Sequence, residues 1–199
     1  METDEDLLGR LRAGDESAFE ALVERYHTRL IRFALSFAAR RELAEDAVQE
    51  TWIGLLRGLD RFEGRSSLGT WLFQICANRA RSMAAQEARV VPVGPEGPAA
   101  DPAWFQADGA WAEPVTVWAD PPTDAAEQAE LIERIRQAIT ELPPGQRQVV
   151  TLRDVEGMTA AQVCEIMSIT EVNQRVLLHR GRTRVRAMLD RLDKEVTRR

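Results

Sequence analysis

"MTAAQVCEIMSITEVNQRVLLHRGRTRVR", Met158 to Arg186, decides the reading of this chain. Thr159 precedes Ala160, Val163 and Ile166 at helical spacing, which predicts a short helix with a threonine cap. Met167-Ser168-Ile169 then reads as a turn, and Thr170 caps a longer helix. From Glu171 to Arg186 that helix carries five arginines and one acid. Upstream, Pro144 suits a first helical position, and a helix through Val149, Val150 and Leu152 ends near Gly157. Helix, short helix, tight turn and basic helix is the order of a helix-turn-helix.

Working outward, Leu131, Ile135, Ala138, Ile139 and Leu142 form an apolar stripe that starts from about Asp124 and stops at Pro143-Pro144. The zone from Val90 to Thr123 is different. It holds seven of the nine prolines, and those residues exclude helix propagation and interior strand pairing. It also holds Trp104, Phe105, Trp111 and Trp118, which a plain flexible linker does not need. Two readings of these aromatics stand: packing back on the flanking domains, or docking in a partner's groove. Towards the N-terminus the helical period returns. Asp15, after Gly14, is a candidate cap, and Phe19, Leu22, Val23, Tyr26, Leu30 and Phe37 follow at three- and four-residue steps. A second helix places Ala44, Val48, Trp52, Leu55, Leu56 and Leu59 on one face, with Glu45, Asp46, Gln49 and Glu50 on the other. A third helix runs to about Glu87. The expected architecture is all-α: two small helical domains at 1–91 and 125–199, joined by an acidic Pro/Trp-rich linker at 92–124.

Composition bounds the function. The chain has 199 residues, 44% hydrophobic and 29% charged, as in an ordinary globular protein. No run is long and apolar enough for a membrane helix, and the acidic start METDEDLLGR lacks the order of a signal peptide. A cytoplasmic protein is expected. Cys76 and Cys164 read as small buried hydrophobes rather than a disulfide. Two cysteines and two histidines have no metal-ligand spacing, so neither metal nor cofactor is expected, nor any catalytic constellation. The net charge of −6 argues against a nucleic-acid binder, but the distribution is uneven. From Pro92 to Glu130 there are eight acids and no basic residue, which masks the basic C-terminal end.

Between the two ends lies "FEGRSSLGTWLFQICANRAR", Phe62 to Arg81, which joins a glycine- and serine-bearing loop to aromatics and then arginines. Taken in order, "AEDAVQETW" (Ala44–Trp52), this stretch, "LPPGQRQVVTLRDVEGMTAAQVCEIMSI" (Leu142–Ile169) and "LLHRGRTRVR" (Leu177–Arg186) resemble a bacterial RNA polymerase sigma factor of the extracytoplasmic-function group. The resemblance covers all but the first dozen residues and the Pro/Trp zone. It implies a non-enzymatic subunit that binds core polymerase, directs it to promoters and promotes DNA opening. The implied partners are the clamp helices of the largest polymerase subunit, the flap of the second-largest and promoter DNA. Whether an anti-sigma factor joins them stays open. A free-standing helix-turn-helix regulator is the rival reading, but it needs neither the aromatic loop nor the acidic second helix.

The resemblance also assigns residues. Asp46, Gln49, Glu50 and Arg57 fall on the core-binding surface, where acids and amides suit an arginine-bearing partner. Glu63, Ser66, Ser67, Trp71, Asn78, Arg79 and Arg81 fall where the minus-ten element is met. There, unstacked bases need π surfaces and hydrogen bonds, and phosphates need arginine. Ser82 stands where the family pattern has Asp or Asn. For the minus-thirty-five element the implied set is Arg153, Thr170, Glu171, Asn173, Gln174, Arg175 and Arg180. Leu177 replaces a common arginine. The acidic linker corresponds to the family segment that threads the polymerase active-centre cleft.

Overall fold

The computed structural model describes residues 2–38, 40–90 and 124–197, and the Pro/Trp zone after Val90, with its four aromatics, lies outside them. The described residues are helical, without a strand. No helix among them is long and apolar enough to cross a membrane.

The first group has four helices: α1 (Asp4–Arg12), α2 (Glu16–Ala34), α3 (Arg41–Gly58) and α4 (Leu68–Val90). A 3-10 turn over Leu59–Arg61 follows α3. α1 is an addition to the sequence reading. Thr3 caps it reciprocally with Asp6, an aspartate version of the capping box, and Leu7 and Leu8 are buried. It is fastened to α2 by Asp4, which pairs with Arg25 at 2.5 Å and accepts from Tyr26 Oη at 2.5 Å. Asp15 caps α2 through the Ser17 amide, as its position after a glycine suggested. The buried stripe of α2 is Leu22, Tyr26, Leu30 and Phe33. It meets Ala44, Val48, Trp52 and Leu55 of α3 and Leu72, Phe73 and Cys76 of α4. Phe19 meets Trp52 edge-on at 5.7 Å, and Phe33 lies 5.3 Å from Phe73. Cys76 is fully buried and its thiol is pushed up to about 12 by desolvation. Cys164 departs from expectation: it is half-buried.

The second group is α5 (Ala125–Thr140), α6 (Pro144–Val150), α7 (Ala160–Met167) and α8 (Glu171–Thr197). Pro144 occupies the first helical position of α6, where its missing N–H has no cost. α6 continues into a wider, π-type turn over Thr151–Val155, closed by the Glu156 amide donating to Thr151 O at 2.9 Å. Gly157, at φ 70°, then reverses the chain. Thr159 makes a full capping box with Gln162. Ser168 ends α7 in the left-handed region at φ 56°, and Thr170 accepts from the Asn173 amide to open α8. α8 packs against α5, α6 and α7. The two groups meet where α7 lies on α4.

Two helical glycines give opposite expectations. A Cβ on Gly181 would stand 2.5 Å from Val150 Cγ2, with the Gln146 backbone oxygen at 3.5 Å, so α8 needs glycine to reach α6. Gly9 of α1 faces open space. Gly181→Ala is expected to cost about 1–3 kcal/mol through overpacking. Gly9→Ala is expected to add about 0.5–1 kcal/mol by helix propensity. Urea denaturation of both variants checks the pair of signs, and equal effects would refute the packing assignment.

Candidate polymerase and nucleic-acid interface

Three exposed surfaces emerge from the helices. The first is the outer side of α3. Asp46, Gln49 and Arg57 are exposed and Glu50 is half-exposed. Their three- to four-residue spacing puts them on one stripe. Two apolar residues join it: Ile53 is 38% exposed and Leu56 is 50% exposed. Sequence reasoning placed Leu56 on the core face. The core keeps Leu55, which shared that face in the reading, and leaves Leu56 outside, because adjacent helical positions point about 100° apart. The resulting surface has carboxylates and an amide at one end, an apolar centre and a cation at the other end.

The second surface is the loop 62–67 with α4. Its first end is clamped. Phe62 stacks on Trp71 with centroids 4.5 Å apart and planes at 24°. Trp71 lies against Gly58, where a Cβ would be 2.9 Å from Cζ2. Arg12 of α1 donates to Leu59 O at 3.0 Å and Phe62 O at 2.5 Å. Arg12 was not among the sequence candidates, because its contacts lie 47 and 50 residues away. The other end is the start of α4. Ser67 Oγ accepts from the Thr70 amide at 3.1 Å, and Trp71 N donates to Ser67 O. Ser67 is therefore engaged as a cap, while Ser66 is half-buried. Glu63 and Arg65 project outward and pair at 3.3 Å. Gly64, at φ 71°, turns the loop. Further along α4, Asn78, Arg79 and Arg81 are exposed. Arg81 donates to Asn78 Oδ1 at 3.2 Å and lies 5.9 Å from the Phe37 ring centre. Arg79 Nε is 4.0 Å from Glu50 Oε2, so the first two surfaces touch.

The third surface is the start of α8. Glu171, Asn173 and Arg175 are exposed, with Arg175 and Glu171 paired at 3.3 Å. Val172, 66% exposed beside them, escaped the sequence reading because valine there reads as a buried helix position. Two expectations are corrected. Gln174 is 1% exposed and faces the interior, one position out of phase with Asn173 and Arg175. Its place on the helix, not its chemistry, removes it from the surface. Arg153 folds back within the domain and donates to Met158 O, holding the turn before α7 rather than standing free. Arg180 is half-buried. Arg182 is held by Asp154 through two bonds, at 2.9 and 2.5 Å. Thr170 is the cap of α8.

Chemically, the second surface offers a stacked aromatic pair, backbone groups, an amide and two guanidinium groups. The third offers an amide, a paired cation and an apolar tip, side chains of the kind that meet base edges in a major groove.

Arg12→Ala removes the tie between α1 and the loop. The Phe62 amide, which donates to Leu59 O at 3.3 Å, is expected to exchange with deuterium several-fold faster while α8 is unchanged. Unaltered exchange at Phe62 would show that the aromatic stack alone holds this end of the loop.

Comparison with known proteins bears on these surfaces. The family model for Sigma-70 region 2 matches residues 22–90, and that for Sigma-70 region 4 matches residues 132–185. Together they span more than half of the chain. Among curated relatives, the RNA polymerase sigma-H factor of Pseudomonas aeruginosa is 28% identical over 98% of both chains. The ECF RNA polymerase sigma-E factor of Escherichia coli K12 is 28% identical over 90% of this chain and 91% of its own. Among solved structures, CnrH in complex with the cytosolic domain of CnrY superposes with a TM-score of 0.60 at 22% identity, covering 94% of this chain and 97% of CnrH. The sigma factor RpoE in complex with the anti-sigma factor NepR, from Bartonella quintana, gives a TM-score of 0.60 at 23% identity, covering 86% and 96%. These two likenesses bear on the fold.

Proposed function

Because the chain belongs to the sigma-70 family of RNA polymerase sigma factors, with its region 2 and region 4 parts in order, we propose that its three exposed surfaces divide the work of transcription initiation. The α3 face binds core polymerase. Loop 62–67 and the outer face of α4 meet the minus-ten element. The start of α8 meets the minus-thirty-five element. The observation that carries this reading is the presence of both family parts in one chain, each with an exposed face of fitting chemistry.

On α3, Asp46, Gln49 and Glu50 offer acceptors to arginine, and Ile53 and Leu56 bury apolar area against the same partner. In the loop, the Phe62–Trp71 stack forms a firm edge against which an opened strand packs. Unstacked bases are worth about 1–3 kcal/mol each on aromatic surfaces. Asn78 supplies a donor and an acceptor to a base edge, and Arg79 and Arg81 supply charge to phosphate. On α8, Asn173 and Arg175 read bases, with Glu171 orienting Arg175. The bond-making chemistry belongs to the polymerase, and the chain acts in the cytoplasm beside it. An anti-sigma partner is part of the same reading, by analogy with RpoE and NepR.

Run-off transcription on genomic promoter fragments tests the function. Core polymerase with this chain is expected to give discrete transcripts that core alone does not. Discrete transcripts from core alone, or none with the chain, would contradict it. The core-binding assignment has its own check. Replacing Asp46 and Glu50 by arginine puts like charges at the interface, which costs several kcal/mol. Core pull-down is expected to fail while circular dichroism stays unchanged, and normal co-purification would reject the α3 assignment. For the minus-thirty-five element, Arg175→Ala in the holoenzyme is expected to weaken promoter binding by about 1–3 kcal/mol and relax preference at one base pair. A uniform loss across all sequences would make Arg175 a phosphate contact instead.

A further inference from the structure

The first turn of α8 carries a side chain whose chemistry differs from that of its neighbours. Val172 is 66% exposed, the most exposed large apolar side chain among the described residues. Val176, Leu178, Val185 and Leu189 of the same helix are buried, so the apolar side of α8 faces inward and Val172 stands apart from it. Around Val172 are Glu171, Asn173 and Arg175, all exposed. Its side chain adds nothing to the core. Valine is also a poor helix former, because its branched side chain loses freedom against the preceding turn. Neither packing nor propensity accounts for a valine at this position.

The position is firmly held. The Thr170 side chain accepts from the Asn173 amide at 3.2 Å, and Thr170 O accepts from the Gln174 amide at 2.9 Å. Gln174 and Val176 are buried and fix the rotation of this end of the helix. A β-branched side chain in a helix keeps one strongly preferred rotamer. The γ-methyl groups of Val172 are therefore presented outward in one orientation, and covering them costs little side-chain entropy.

We propose that Val172 is a specificity-determining residue that packs on the C5-methyl of a thymine in the minus-thirty-five element, within about two base pairs of the pair that Arg175 reads. This rests on the proposal that the start of α8 meets that element. The occupant follows from chemistry. Valine has no donor, acceptor or charge, so phosphate oxygens and the polar atoms of base edges offer it nothing. In the major groove the feature that suits it is the thymine methyl, which sets that base apart from the other three. The distance follows from helix geometry. Residues three apart on a helix have Cβ atoms about 5–6 Å apart, and stacked base pairs are about 3.4 Å apart. Val172 and Arg175 therefore reach pairs one or two steps apart. Arg175 has the fork geometry that matches guanine O6 and N7, so the two residues together favour a guanine with a thymine close by on either strand.

The test uses holoenzyme on promoter fragments that it transcribes. Replacing thymine by deoxyuridine removes the C5-methyl and leaves every hydrogen-bonding group in place. Each thymine of the minus-thirty-five element, on both strands, is replaced singly, and binding is titrated for holoenzyme carrying the wild-type chain or Val172→Ala. The wild type is expected to lose about fourfold in affinity at one thymine, the worth of one buried methyl-sized group. Val172→Ala is expected to lose about fourfold on the unmodified promoter, and nothing further when that thymine becomes uracil. Uracil effects that are the same for both proteins at every position would overturn the inference. So would a loss in Val172→Ala that is equal across promoters of different minus-thirty-five sequence, which would make Val172 a contact with polymerase. A coupled thymine distant from the pair at which Arg175→Ala relaxes preference would overturn it too. Arg175→Ala separates this inference from the reading beneath it. If that variant relaxes preference in the element while no uracil couples to Val172, the methyl contact fails alone. If neither variant alters preference there, the minus-thirty-five assignment of α8 fails and the methyl contact with it.

Discussion

Glu156 is the point on which the arrangement of the two halves turns. A carboxylate at 1% exposure is tolerable only when fully paired, and both of its partners come from α2. Its position is produced locally. The π-type turn closed at Thr151 O shifts the register of the chain after α6, and Gly157 reverses its direction, which leaves Glu156 projecting towards the other half. Arg147 adds a cation at the open end of α2, where carbonyls lack intrahelical partners. Burial lowers the pKa of Arg147, the direction in which removing a guanidinium from water acts. These polar, directional ties lie beside a buried apolar cluster that is continuous from one half to the other.

Within the first half, one helix links two roles. The buried side of α3 anchors the bundle through Val48, Trp52 and Leu55, and its exposed side carries Asp46, Gln49, Ile53 and Leu56. Its last residue, Gly58, receives the indole of Trp71, and Arg12 ties the following turn to α1. A partner bound along α3 therefore holds the same rigid element that sets the edge of the loop 62–67. Glu50, 4.0 Å from Arg79, lies on the seam between the two surfaces.

Much of this was legible in the sequence where the signal is local. Asp15, Thr159 and Thr170 cap the helices they precede, Pro144 starts α6, and Ser168 turns the chain, because each acts within a few residues. α1 was missed because its box uses aspartate and its apolar stripe is short. Leu56 and Gln174 were misplaced by one helical position, a step that period reasoning resolves poorly beside Leu55 or in a run of polar residues. Arg12 and Glu156 were invisible for a different reason. Their partners are 47 to 127 residues away, and no local pattern marks a charge as half of a long-range pair. The three surfaces were found through the order of their motifs, while the contact that holds the two halves together required coordinates.

The central claim is that two halves of one chain act on two separated stretches of promoter. Footprinting of the holoenzyme on a promoter it transcribes tests this most directly, with permanganate for unpaired thymines and DNase for protected duplex. The account predicts reactive thymines in the minus-ten element together with protection about 25 base pairs upstream, about 85 Å away. Protection of a single continuous site with no unpaired thymine, unchanged when core polymerase is omitted, would contradict it.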